Sequence, residues 1–331
     1  MMALINQIER FGGSWENLEK SNRLGLSQLK SIATVSSVGA STRIEGSKMS
    51  DAEVDVLLAS FQIQKLTERD AQEVAGYYEV LELITGSFAG IDLSENSIKD
   101  LHNRLLKYST KDEWHKGNYK QHTNHVEATM PDGSKQLVFQ TTAPGYATQD
   151  AMRSLFQWYT TDDLVHPLVK IAIFTYEFLS IHPFQDGNGR LSRLITTLLL
   201  LKEGYNWIPY ISFEHEIEKR KTNYYSTLRL CQAQRPHEDV TPWAMFFLDC
   251  LVHLQQLLSE KLKTAEHITS LSPRERSILL LIRERPGIQS GEIATRLGIP
   301  LPTVKRIMAV LVERQTVGRI GVGRGTGYVL K

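Results

Sequence analysis

The stretch "HPFQDGNGRLSR", residues 182–193, decides the reading of this chain. Before it runs "VKIAIFTYEFLSI" (169–181), whose apolar stripe predicts a helix that stops ahead of Pro183. After it runs "GRLSRLITTLLLL" (189–201), a second helix starting near Gly189. The polar stretch is therefore a turn that ends on a helix N-terminus. Backbone N–H groups there lack intrahelical partners, and the helix dipole adds positive potential. Gly187 and Gly189 let an anion approach the backbone, Asn188 suits a left-handed turn, and Arg190 and Arg193 share one helix face. Asp186 would cancel part of that charge unless it had its own task, and holding Mg²⁺ beside phosphates is such a task. His182, at the mouth of the turn, is a natural acceptor for a hydroxyl proton. The assembled chemistry is attack of a hydroxyl on a phosphate of a metal-bound polyphosphate.

The same twelve residues resemble, at every defined position, the Fic-domain signature His-x-Phe-x-(Asp/Glu)-Gly-Asn-Gly-Arg-x-x-Arg. That family typically moves AMP from ATP onto a hydroxyl side chain of a target protein. The resemblance implies His182 as general base, Phe184 as the anchor of the loop and Asp186 as the Mg²⁺ ligand. It implies Gly187, Asn188, Gly189 and Arg190 as the phosphate cradle, and Arg193 on the γ-phosphate.

Upstream, "ASTRIEGSKMSDAEV" (40–54) puts Ser41 and Glu45 on one helix face, with Gly46 as a stop. Alone this is a capped helix end. Beside the signature it resembles the family's inhibitory motif, (Ser/Thr)-x-x-x-Glu-(Gly/Asn), which implies that Glu45 pairs with Arg193 and keeps the enzyme off. In some members the same glutamate positions a water that removes AMP, so the reverse reaction is an alternative.

"KTNYYSTLR" (221–229) resembles the segment on the nucleotide-base side and points to Asn223 and Tyr225, with Tyr224 read as core. Before the expected flap, "GNYK" carries Lys120 where the family often has arginine. The flap is the hairpin "NHVEATMPDGSKQLVFQ", turning on "PDGS". Its edge, 125–139, is the expected dock for the target protein.

The rest of the chain sets the frame. Helical periodicity recurs over 52–66, 69–85, 97–107, 149–159, 165–180, 189–202 and 243–263. The fold class expected is a mainly helical, all-α Fic fold with a β-hairpin flap, followed by a small α+β winged helix. Three regions follow: 1–100 with the inhibitory motif, 101–264 as catalytic core, and 271–331 as winged helix. The last holds 11 Lys/Arg against 4 Asp/Glu in a chain of net charge +1. That excess fits a DNA-backbone footprint, tested at Lys305, Arg306, Arg319 and Arg324, although winged helices also bind proteins. A nucleotide-sensing regulator without catalysis is thus the reading from a different class.

Cys231 and Cys250 fit neither a disulfide framework nor a zinc site. The N-terminus lacks a signal-peptide pattern, and no apolar run is long enough to cross a bilayer, so a cytoplasmic protein is expected. Homodimers are common in the family, which makes self-association a further expectation.

Overall fold

In the computed structural model the structure describes residues 1–21, 23–59, 66–129, 135–269, 272–313, 316–321, 323 and 326–330. The chain divides into two compact units, 1–260 and 261–331.

The first unit is a stack of helices. In chain order these are α1 (Met2–Ser21), α2 (Arg23–Ile44), α3 (Asp51–Ala59), α4 (Arg69–Ser87) and α5 (Glu95–Leu105). Two short strands follow, β1 (Val126–Thr129) and β2 (Lys135–Phe139). Then come α6 (Tyr146–Thr161), α7 (Pro167–Ile181), α8 (Asn188–Lys202), α9 (Phe213–Lys219), α10 (Lys221–Gln232) and α11 (Thr241–Thr269), whose last residues fall past the 260/261 division. The helix expected over 52–66 is α3; positions 60–65 lie outside the described residues. Of the two serines that could start α5, Ser94 is the cap, accepting the Ser97 N–H at 3.2 Å.

α8 is the centre of this unit. From Leu191 to Leu201 every residue is buried, so the helix is wrapped on all sides rather than one. α7 packs along it, and α2, α4 and α5 also touch it. Burying both helices that flank the 182–187 turn gives that turn a rigid base. β1 and β2 pair antiparallel as a two-stranded hairpin, in register Glu127↔Leu137 and Thr129↔Lys135, and the "PDGS" turn itself lies outside the described residues.

The second unit has α12 (Pro273–Glu284), β3 (Ile288–Gln289), α13 (Ser290–Leu297), α14 (Leu301–Glu313), β4 (Val317–Ile320) and β5 (Gly327–Leu330). α12 opens on a full capping box, Ser272 with Glu275. Its core is a cluster of Ile278, Ile282, Ile288, Ile293, Val304, Met308, Leu311 and Val317. The sheet order is β3-β5-β4, all antiparallel. The two-stranded wing expected from the sequence thus has a third strand, too short to show a period of two. Among the described residues no helix is long and apolar enough to cross a membrane.

Candidate active site

α7 stops because its carbonyl-side exit bends at His182, the C-cap, which sits in left-handed backbone at φ 54. Among the described residues it is the one non-glycine residue at positive φ. Such a conformation is retained where the surroundings over-determine it. Pro183 and Phe184 follow, and Phe184 is fully buried, stacked on the His102 ring at 3.8 Å. Gly187, at φ 79, then caps the N-terminus of α8. The Asn188 amide braces the turn from inside: it accepts from Phe184 N–H at 2.9 Å and donates to Phe184 C=O at 2.7 Å. Its side chain thus braces the turn from within, while the Gly187 N–H is taken by Asp186 Oδ1.

His182, Asp186, Gly187, Asn188, Gly189, Arg190 and Arg193 line one cavity of ≈ 280 Å³. Glu45 reaches it from the far end of the chain, and Leu179, Tyr224, Tyr225, Leu228 and Arg229 line it from α7 and α10. Tyr225 is therefore at the cavity, and so is Tyr224, although that ring is also buried against Trp243. Asn223 is exposed and is not among the lining residues.

His182 has a defined proton arrangement. Its Nδ1 lies 3.3 Å from Leu179 C=O, which can only accept, so Nδ1 carries the hydrogen and Nε2 keeps its lone pair. Burial pushes the imidazole pKa down to about 4; Lys120 lowers it further, against the raising pull of Leu179 C=O, Glu45 and Asp186. At neutral pH the ring is an uncharged acceptor.

The two arginines differ in their partners. Arg193, 2% exposed, donates Nε to Ser41 Oγ at 2.8 Å and Nη2 to Ser41 C=O at 3.0 Å and Glu45 Oε1 at 2.8 Å. Burial alone would lower its pKa; Glu45 and the tyrosines Tyr77, Tyr224 and Tyr225 more than offset that and raise it. Arg190, also 2% exposed, has Nη1 3.3 Å from Glu73 and Nη2 3.4 Å from Asp186, while its Nε and Nη1 have no hydrogen-bond partner. A cation at a helix N-terminus that lines the cavity suits phosphate oxygens.

The cradle already holds an anion. A Cβ on Gly189 would run into Glu45 Oε1, so the carboxylate lies directly over that glycine. Asp186 is 37% accessible at its side chain, and its pKa is lowered: desolvation raises it, and Arg190, the Gly187 N–H, Arg69 and Lys111 overcome that. Among the described residues no three His, Cys, Asp or Glu side chains gather as a metal cage. A single ionised carboxylate beside a phosphate cradle fits Mg²⁺, which is held by one or two carboxylates together with substrate phosphates.

The Glu45 turn is itself fixed. Arg43 forks onto Glu218 at 2.7 and 3.0 Å and pairs with Asp51 at 2.8 Å, and Lys221 donates to Ile44 C=O at 2.7 Å. Other residues at the site carry little or no sequence signal, Lys120 only as the departure in "GNYK". His102 accepts from Gly117 N–H on Nδ1 at 2.9 Å, so its Nε2–H donates to Asp186 C=O at 3.0 Å. Glu73, Lys120 and Asn124 are of the same kind: each acts on the turn from a segment distant in sequence.

Comparison with known proteins gives the chain's likenesses. The Fic/DOC family model matches residues 92–200, and a winged helix-turn-helix DNA-binding model matches 271–317. Proteins named protein adenylyltransferase Fic are similar: that of Drosophila yakuba is 28% identical over 215 residues, and that of Drosophila melanogaster 26% over 214. Each match covers 63% of this chain, which spans 39% of the length of those relatives. Two solved structures share the fold. A Fic family protein from Desulfovibrio desulfuricans aligns over 100% of this chain and 95% of its own, with TM-score 0.65 and 23% identity. A Fic-domain signaling protein from Bacteroides thetaiotaomicron aligns over 78% and 97%, with TM-score 0.63 and 24% identity.

Proposed function

We propose that this chain, a Fic-domain protein with a C-terminal winged helix, transfers AMP from ATP to a hydroxyl side chain (Ser, Thr or Tyr) of a target protein or of itself, and is held off by Glu45. The observation that carries the proposal is the Arg193–Glu45 pair at 2.8 Å inside the cavity that His182 lines.

In this reading the target hydroxyl gives its proton to His182 Nε2 as its oxygen attacks the α-phosphorus. The bond from that phosphorus to the bridging oxygen breaks, and pyrophosphate leaves. The backbone at Gly187–Gly189, with Arg190, receives the phosphate oxygens, and Arg193 takes the γ-phosphate once Glu45 has moved aside. Asp186 would hold Mg²⁺, which neutralises phosphate charge when bound. Tyr225, with Leu228, gives the base an apolar wall, and Asn223 would have to turn inward to join it. The hairpin edge, 125–139, would pair with an extended segment of the target, and the basic residues of 271–331 would bind DNA.

The test is labelling with α-³²P-ATP and Mg²⁺ in wild type, Glu45→Gly and Glu45→Gly/His182→Ala. Label only in the single variant is expected. Label equal in all three would refute His182 as base and Glu45 as inhibitor together. A second reading, hydrolytic removal of AMP, is favoured by the Glu45 carboxylate lying in the same cavity; nucleotide binding without label in any variant would point to it or to nucleotide sensing without catalysis.

A further inference from the structure

The first half of the turn carrying His182 is gripped by one short segment. Four consecutive carbonyls are taken by two residues. Ile181 C=O accepts from Lys120 Nζ at 3.0 Å, and Pro183 C=O accepts from the Lys120 backbone N–H at 2.8 Å. His182 C=O accepts from Asn124 Nδ2 at 3.2 Å, and Phe184 C=O from the same amide at 2.6 Å. Tyr119 adds a β-bridge to Phe184.

Lys120 is an unusual residue to find there. It is 2% exposed. Its other two ammonium hydrogens go to Asn124 Oδ1 at 2.9 Å and Thr141 Oγ1 at 3.0 Å, so all three acceptors are neutral oxygens. A buried lysine cation on neutral acceptors is costly, and chains seldom retain one without a return. The return is connectivity. Asn124 stands just before β1, Thr141 just after β2, and Thr141 donates to Asn124 Oδ1 at 3.0 Å. One ammonium therefore joins both roots of the hairpin to the C-terminal carbonyl of α7, where a cation also suits the helix dipole.

We infer that Lys120 is a positioning residue that, with Asn124, locks His182 in its left-handed conformation and ties that base to the root of the flap. The inference rests on His182 being the base of the proposed transfer. The charge acts as well as the geometry. Lys120 helps to hold the His182 imidazole neutral, where Glu45 and Asp186 pull the other way. Burial lowers the Lys120 pKa to about 8, and the residue is still mainly cationic at neutral pH.

The test uses the full chain with Glu45→Gly as parent, adding Lys120→Met, Lys120→Arg or Thr141→Val. Two quantities are read: AMP transfer across pH, and the His182 titration by NMR with labelled histidine, assigned against His182→Gln. For Lys120→Met the expected result is a loss of transfer on the order of 100-fold, a His182 midpoint raised by roughly one pH unit, and unchanged Mg·ATP affinity. Lys120→Arg, which keeps the charge, recovers most of the transfer and the low midpoint. Thr141→Val removes one acceptor and keeps the cation; transfer falls by roughly fivefold and the midpoint stays. A merely structural lysine would lower stability in Lys120→Met and leave the His182 midpoint in place, which overturns the inference. If Lys120→Met does not fold, unchanged transfer in Thr141→Val overturns it instead. If the parent itself transfers no AMP, the proposed function fails, and the His182 midpoint still decides whether Lys120 holds the imidazole.

Discussion

Removing Glu45 should make the empty protein less stable and its response to ATP larger. The perturbation is Glu45→Gly. Glu45 accepts one charge-assisted bond from Arg193 at 2.8 Å, and its side chain is 32% exposed. Hydrogen bonds to charged groups contribute about 1.5–3 kcal/mol. A phosphate that claims Arg193 must first displace that bond. Without Glu45, Mg·ATP should bind roughly 10- to 150-fold more tightly, at tenfold per 1.4 kcal/mol. The empty variant loses the pair and keeps both Ser41 bonds to Arg193. Its loss should therefore fall below the ~3–5 kcal/mol of a fully broken buried pair, at about 1–2 kcal/mol. For a domain of this size that lowers Tm by roughly 2–8 °C. Saturating Mg·ATP then returns the binding difference as stability, since a ligand of the native state stabilises in proportion to its affinity. The ATP-induced rise in Tm should exceed that of wild type by about 3–12 °C. The assay is thermal unfolding with and without Mg·ATP for both proteins. An unchanged Tm without ligand, together with an ATP shift equal to wild type, would refute the competition between Glu45 and phosphate.

Acid should destabilise the first unit through its buried imidazoles. Burial lowers the pKa of both His102 and His182 to about 4, below the ~6.5 of the unfolded chain. The unfolded state therefore binds more protons between pH 6.5 and 4, and stability present above 6.5 is lost as pH falls through that window. His102 alone should contribute about 2 kcal/mol of loss from pH 7 to 5, read as a falling urea midpoint that His102→Gln flattens. In the Glu45→Gly background, Gly189→Ala should weaken Mg·ATP binding by roughly tenfold or more, because a Cβ there fills the space that the Glu45 carboxylate occupies in the wild-type site; calorimetric titration with unchanged affinity would contradict the cradle. In the winged helix, Lys305 and Arg319 flank one cavity, and Arg324 lies outside the described residues. If 271–331 binds DNA, Lys305→Ala or Arg319→Ala should each make the slope of log K against log salt shallower by about one, the share of a single neutralised phosphate; no salt-dependent DNA binding by the intact chain would direct the search to a protein partner.

Much of the site is legible in twelve residues because a helix N-terminus is a local device. The glycines, the carboxylate and the arginines of 182–193 are close neighbours in sequence, and local geometry alone brings them to one helix N-terminus. The helical periods of 69–85, 165–180 and 189–202 are equally local and match α4, α7 and α8. β3 is not legible, since two residues have no period and pair only because β5 is already in place. Asn223 and Tyr225 lie two apart on α10, so their side chains leave the helix in different directions; Tyr225 lines the cavity and Asn223 is exposed.

What the chain's own order determined, then, is a turn that brings His182, Asp186, the glycines and the two arginines to one helix N-terminus, because those parts are neighbours along the backbone. What only the tertiary structure decided is which distant segments hold that turn. Glu45 and Ser41 meet Arg193 across about 150 residues of chain; the family resemblance anticipated the pairing of Glu45, and no local pattern in the sequence could. Lys120 is a mere departure from a motif until folding places its ammonium on the Ile181 carbonyl. A buried charge is tolerated only where the fold supplies every partner, and those partners come from segments that no local pattern connects.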